Sequence, residues 1–124
     1  MLRALIWDVD GTLAETNLRW SSGASACVVA SSAGYPGSYK TGFPISGLTN
    51  AAAVPTAQVF HSGTSRLGNH LVTSGGRVLA ASAQGDTLRE APARAYQALA
   101  EIQFEGMYFR RDIGYRALRP AAKS

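Results

Sequence analysis

The chain of 124 residues contains one cysteine, Cys27, and two lysines, and only 16% of its residues are charged. A single cysteine excludes an internal disulfide and fits a reducing compartment. It lies in the apolar run "ACVVA" and reads as a small buried residue rather than a nucleophile. The net charge of +4 is carried by ten arginines. They are scattered, apart from Arg110 and Arg111 with Arg116 and Arg119 close behind. No basic stripe with interleaved aromatics occurs, so a nucleic-acid partner is not expected; a solvated surface comes first and an anionic small molecule second. No apolar run reaches the ~20 residues that a membrane crossing needs. The opening stretch has one arginine and then Asp8 and Asp10, unlike a secretory signal. The expectation is a cytoplasmic protein of one domain, without repeats or low-complexity segments.

What is present is strand-rich. "LRALIW" (2–7) reads as a short buried strand, and "GTLAETNLRW" (11–20) is ambiguous, with a helix start possible. "ASACVVAS" (24–31) is short, apolar and bounded by Ser and Gly, as a strand should be. Gly and Pro are dense in 32–47, which excludes a helix there. One helical turn ended by Pro55 is predicted within 50–57. Strands follow at 58–63, 70–75 and 77–85, with turn-like "TSRLGN" and "SGG" between them, so antiparallel pairing is expected. Residues 86–104 read as the one long helix. Thr87 and Glu90 have capping-box spacing, and Leu88, Ala91, Ala95, Leu99 and Ile102 recur on one face. Pro92 should remove a hydrogen bond there or delay the start. Residues 106–118 read as a closing strand and turn, and 120–124 as a frayed tail.

The string "DVDGT" (8–12) ends the first predicted strand. With "LAET" after it, it resembles motif one of the haloacid dehalogenase superfamily, within residues 1–16. That resemblance implies a magnesium-dependent sugar-phosphate phosphatase, with Asp8 as nucleophile, Asp10 as general acid and base, and the metal held by Asp8, Asp10 and Asp86. Ser31 or Ser32, Lys40 and Glu90 are candidates for the remaining parts. Two physical points oppose it. About ten residues separate the first strand unit from the second strand, whereas a parallel crossover needs a dozen or more. The Thr87–Glu90 pair also already has a capping role.

From residue 18 to 118 a second resemblance takes over. "LRWSSGASACVVASSAGYPGSYKTGFPISGL", "VFHSGT", "LVTSGGRVLAASAQGDTLREA", "RAYQAL" and "IQFEGMYFRRDIGYRAL" follow one another as in the C-terminal domain of phosphoribosylamine–glycine ligases, the glycinamide ribonucleotide synthetases. The resemblance implies an α+β fold: a small, mostly antiparallel, barrel-like sheet with one long packed helix. It also implies purine biosynthesis. In the full ATP-grasp enzyme, ATP and magnesium activate glycine as an acyl phosphate, which the amine of phosphoribosylamine attacks. The ATP-grasp domains would be this chain's partners. Alone it would bind no cofactor or metal and show no catalysis. The family often has glycine where Ala33 stands, so a shifted loop is expected.

Within this reading Gly34, Tyr35, Pro36 and Gly37 are candidates for the substrate cleft, against the alternative of a rigid turn. Arg110 and Arg111 are candidates for a phosphate or carboxylate, against a surface ion pair with Asp112 or Glu105. His61 and His70 lack partners at metal-ligand spacing. The organisation expected is a phosphatase-like segment at 1–17, the ligase-like domain at 18–119 and the tail. The function expected is that of a ligase C-terminal domain; the alternative is a phosphatase using Asp8 and Asp10.

Overall fold

The computed structural model describes residues 2–7, 13–18 and 23–115. Asp8, Asp10, the end of the closing segment and the tail lie outside them. Strands β1 (Leu2–Trp7), β2 (Leu13–Leu18) and β3 (Ala24–Ser31) come first, then the short helix α1 (Leu48–Ala52). Strands β4 (Ala57–His61), β5 (Thr64–Leu67), β6 (His70–Thr73) and β7 (Arg77–Gly85) follow, and helix α2 (Glu90–Glu101) comes after them. Five strands form one sheet in the order β2-β1-β3-β7-β4, and β5 and β6 form a separate hairpin.

Three of the four pairings in the large sheet are antiparallel, and β1 runs parallel to β3. The fold is therefore α+β and mostly antiparallel. The order ends in β2 on one side and β4 on the other, so the strands show an open sheet and not the expected barrel-like closure. Closure would need β2 and β4 to pair with each other.

The parallel neighbours β1 and β3 correct the crossover argument made from the sequence. The chain after β1 returns as β2, antiparallel along its outer side, and a second reversal brings β3 in parallel to β1. The parallel placement is reached through a strand, so the spacing did not exclude it. The same finding resolves "GTLAETNLRW", whose 13–18 portion is strand.

Strand β3 falls where its apolar pattern places it, and β7 likewise. Their register pairs Ala26 with Ala83 and Val28 with Ala81. Those residues face α2, whose Ala91, Ala95, Ala98 and Leu99 are buried. Alanine on both surfaces lets the helix approach the sheet closely. Leu79, Leu99, Val28, Val78, Ile102, Phe104 and Ile113 fill the core around that contact.

Helix α2 starts at Glu90, later than the pattern predicts. The Glu90 amide donates to Thr87 Oγ1 at 3.1 Å, and the Asp86 amide donates to Glu90 Oε2 at 2.9 Å. These bonds hold 86–89 in turns ahead of the helix. Pro92 then falls in the first turn, where no intrahelical donor is needed. Leu88 is consequently 41% exposed instead of joining the core. Ile102 is buried but extended, just past the helix end. α1 ends before Pro55 as predicted.

Two further segments differ from the sequence reading. "TSRL" is strand β5 and not a turn, because a tighter turn at Gly68–Asn69 allows Leu67 to pair with His70. The segment after α2 is not a strand within 106–115; it contributes a single bridge, Tyr108 to Ser31.

Candidate functional site

The Gly/Pro-rich loop after β3 is tied down at both ends. Ser31 and Tyr108 exchange backbone hydrogen bonds at 2.7 and 3.0 Å. The Ser32 amide donates to the Gly76 carbonyl and its hydroxyl to the Gly75 carbonyl, both at 2.8 Å. Ser31 and Ser32 are buried and spend their polar groups on backbone, so they anchor the loop rather than offer groups to a phosphate. The Gly37 amide closes a turn onto the Gly34 carbonyl at 2.7 Å, and the Tyr35–Pro36 bond is cis.

Gly34 has φ +91°. A side chain there would be strained by that dihedral and would collide with the Ser38 carbonyl. Ala33 takes no positive φ, so the left-handed position of the turn is at Gly34. The Tyr35 ring lies against Gly76, where a β-carbon would strike Cδ2 of the ring. The Arg77 guanidinium stands 5.6 Å from the centroid of the same ring, and Tyr39 packs against it at 6.2 Å. This loop is a rigid, aromatic-faced structure.

Two hollows flank it. One, of about 420 Å³, is lined by Ser32–Tyr35 and Gly106–Tyr108. The other, of about 330 Å³, is lined by Ala33, Ser38, Tyr39, Lys40, Phe43, Glu105 and Gly106. Ala33 and Gly106 line both, so the hollows adjoin there and form a cleft in two parts. Tyr39 and Tyr108 are about half exposed on it. Lys40 and Glu105 bring one charge of each sign. Such a surface can stack a flat group and orient a zwitterion or a phosphate ester.

The structure brings Gly34 and Tyr35 to this cleft and divides the two arginines from it. Arg110 forms a bidentate ion pair with Asp112, at 3.0 and 2.8 Å. The carboxylate raises the guanidinium's pKa further. The partner is Asp112, as the surface-pair reading supposed. Arg111 lies 4.9 Å above the Phe109 ring and lines a different hollow, of about 610 Å³, with Tyr96, Leu99 and Gln103. Sequence reasoning missed Tyr39, Lys40, Phe43, Glu105 and Tyr108 as cleft residues, since the last two reach the loop only through the fold.

Among the described residues no group of three His, Cys, Asp or Glu side chains is placed to hold a metal ion. Asp86 and Glu90 are engaged at the entry to α2. His61 Nδ1 meets Thr64 Oγ1 at 3.2 Å, and His70 opens β6. These residues do not fit a magnesium–nucleotide site.

Tyr96 fastens the segment that carries Arg110 and Arg111. Its hydroxyl donates to the Arg110 carbonyl at 2.6 Å and accepts from the Ile113 amide at 2.9 Å. Replacing Tyr96 with phenylalanine leaves a donor of a buried residue unmet. The expected cost is about 1–3 kcal/mol in urea unfolding, since an unpaired buried group loses its full desolvation penalty.

Burial raises the pKa of the Cys27 thiol, and burial is also the main reason the Tyr96 phenol is raised. Both groups are neutral when protonated, and the unfolded chain releases these protons first. Stability is therefore full below the ordinary thiol value, about 8.5, and falls as pH rises past it and then past about 10. Urea midpoints should be lower at pH 10.5 than at pH 8. Cys27→Ala should remove the earlier part of that decline, and an unchanged midpoint would contradict both assignments.

The class the fold defines is an α+β domain: an open, mostly antiparallel sheet with one long helix packed on it. The family described as phosphoribosylglycinamide synthetase, C domain, matches residues 25–116, and the chain belongs to that family. Curated relatives are phosphoribosylamine–glycine ligases. That of Synechocystis is 48% identical over 101 residues, 82% of this chain and 24% of the relative. That of Rhodopirellula baltica is 41% identical over 117 residues, 94% of this chain and 27% of the relative. The crystal structure of the Thermotoga maritima phosphoribosylamine–glycine ligase superposes with a TM-score of 0.62 at 33% identity, over 71% of this chain and 21% of that one. The chain thus spans about a quarter of the length of these curated relatives.

These matches support a fragment of the ligase and not the phosphatase alternative. They do not show the phosphatase-like character expected of residues 1–16. The Rhodopirellula match, over 117 of the 124 residues, leaves seven outside, so "DVDGT" falls inside the ligase-like stretch.

Proposed function

We propose that this chain serves as the C-terminal domain of a phosphoribosylamine–glycine ligase, a purine-biosynthesis enzyme that joins glycine to phosphoribosylamine with ATP and magnesium. The observation that carries this is the family match over 25–116. The ATP-grasp part would bind the nucleotide and the metal, which the described residues here do not suit. What this chain would supply is a wall of the substrate cleft. Gly34 to Gly37 set the Tyr35 ring, and Tyr39, Lys40 and Glu105 complete the lining. Lys40 suits an anionic group of the substrate, and the tyrosines exclude water beside it. We read residues 1–17 as part of this domain rather than as a separate phosphatase-like segment.

The test is a hybrid enzyme. The matching quarter of the Synechocystis ligase is replaced by this chain, and glycine-dependent ADP release is measured with phosphoribosylamine. Activity within about tenfold of the parent is expected. A folded hybrid without activity would end the reading. In an active hybrid, Lys40→Ala should raise KM for phosphoribosylamine with kcat little changed.

A further inference from the structure

Two motifs, "HSGT" (61–64) and "SGGR" (74–77), line neither part of the cleft. The fold nevertheless brings both to the end of the sheet where the cleft loop begins. β4 runs out at His61 beside Leu79, and β7 begins at Arg77 beside Ser31, where the loop leaves β3. The two turns touch through backbone alone. A β-carbon on Gly63 would stand 2.8 Å from Gly75 Cα, and closer still to the Arg77 carbonyl oxygen. The Gly63 amide donates to that carbonyl at 2.8 Å, and the Ser74 amide donates to the Gly63 carbonyl at 2.7 Å. Glycine at 63 and 75 permits this approach. The backbone of Arg77 is thereby fixed from the β4 side as well as from β3.

Tyr35 lines the cleft from the loop side and is half-buried. Its ring edge rests on Gly76, which is buried. A glycine backbone supports the ring at one place and does not stop the side chain from swinging about its χ1 bond. Arg77, exposed at the first position of β7, supplies a second support. Its guanidinium stands over the ring, 5.6 Å from the centroid, and Tyr39 meets the same ring at 6.2 Å with the planes tilted by 56°. A guanidinium at that distance is attracted by the ring quadrupole, and its planar group covers the ring while its N–H edge stays in water.

We propose that Arg77 is a positioning residue of the ligase reaction: it acts through Tyr35, holding the ring in place as a wall of the substrate cleft. The Gly63–Gly75 contact fixes the backbone from which it works. Three observations select this role over that of an ordinary surface charge. The guanidinium covers a ring that itself lines the cleft. The ring's seat, Gly76, is the residue next to Arg77, so one rigid stretch of backbone carries both supports. That stretch is tied to the loop as well, through the Ser32 amide on the Gly76 carbonyl and the Ser32 hydroxyl on the Gly75 carbonyl. The inference rests on the reading of the chain as a ligase C-terminal domain, and it adds the residue that sets the cleft lining.

A double-mutant cycle in the hybrid ligase described above tests it, with Arg77→Gln, Tyr35→Leu and the two combined. A cation–π contact at an exposed site corresponds to about a two- to fivefold change in an equilibrium. Arg77→Gln should therefore lower kcat/KM for phosphoribosylamine by about that factor. The loss should fall on KM, because fewer molecules hold the ring in place at any moment. Arg77→Lys keeps the cation and should recover part of the loss. In the Tyr35→Leu background Arg77→Gln should have no further effect, since the ring it holds is gone. An undiminished effect there would overturn the proposal, because the arginine would then act without the ring. No effect of Arg77→Gln in the parent would overturn it too. Tyr35→Phe keeps the ring and should keep the Arg77→Gln effect, which decides the matter if Tyr35→Leu does not fold. Nuclear magnetic resonance of the isolated chain gives a readout free of activity. The Arg77 Nε–H proton should resonate upfield under the ring current, and Tyr35→Leu should abolish that shift; a resonance indifferent to the substitution would overturn the contact. Ligase activity of the unsubstituted hybrid reports on the functional reading separately, so a failure of one is not mistaken for a failure of the other.

Discussion

Replacing Leu99 with alanine should lower the stability of the chain by about 2–5 kcal/mol, the range for emptying a fully buried leucine site. Leu99 is 1% exposed and belongs to the cluster shared by α2, β3 and β7. More than half of the buried cluster around it is alanine or valine, short side chains with little reach into a vacated site. The cavity term should therefore stay large. For a domain whose total stability is about 5–15 kcal/mol, this is a large fraction. Urea unfolding followed by far-ultraviolet circular dichroism reads the change. A loss below about 1 kcal/mol would show that the helix does not depend on this contact. Leu88→Ala is the internal comparison. It lies outside the helix and exposed, and should change stability by less than about 0.5 kcal/mol.

Gly34→Ala should cost about 2–4 kcal/mol and remove most activity in the hybrid enzyme. The φ of +91° penalises a β-carbon, by roughly 1–2 kcal/mol on its own. The collision with the Ser38 carbonyl then forces the backbone of the turn to move. Tyr35, next in sequence, leaves its seat on Gly76, and the cleft wall goes with it. Ala33→Gly should be near neutral by comparison, because position 33 takes no positive φ. Thermal melts and ligase kinetics on the two variants separate strain at the turn from a loss of cleft lining. Equal behaviour of the two would contradict the assignment of the hinge to position 34.

Much of the fold is legible in the sequence where one short-range pattern decides it. Residues 24–31 and 77–85 are apolar, bounded by Ser and Gly, and long enough for buried strands, and both are strands over those spans. Proline stopped α1, and Pro92 marked the late start of α2. The cleft was half legible. The "GYPG" turn signalled itself through its backbone demands. Lys40, Phe43 and Glu105 carry no such signal, because only the return of 104–108 beside the loop brings them together.

The sequence by itself determined β3, β7 and the two helical regions, the conformational demands of the glycine turn and the family resemblance over residues 18–118. Each of these depends on residues close in the chain or on their order along it. The tertiary structure alone decided that β1 lies parallel to β3, that β5 leaves the sheet to pair with β6, and that Arg110 and Arg111 turn to different neighbours. Those outcomes rest on hydrogen-bond partners and packing contacts distant in sequence, and alternation along one strand cannot say which neighbour lies beside it or what covers its outer side.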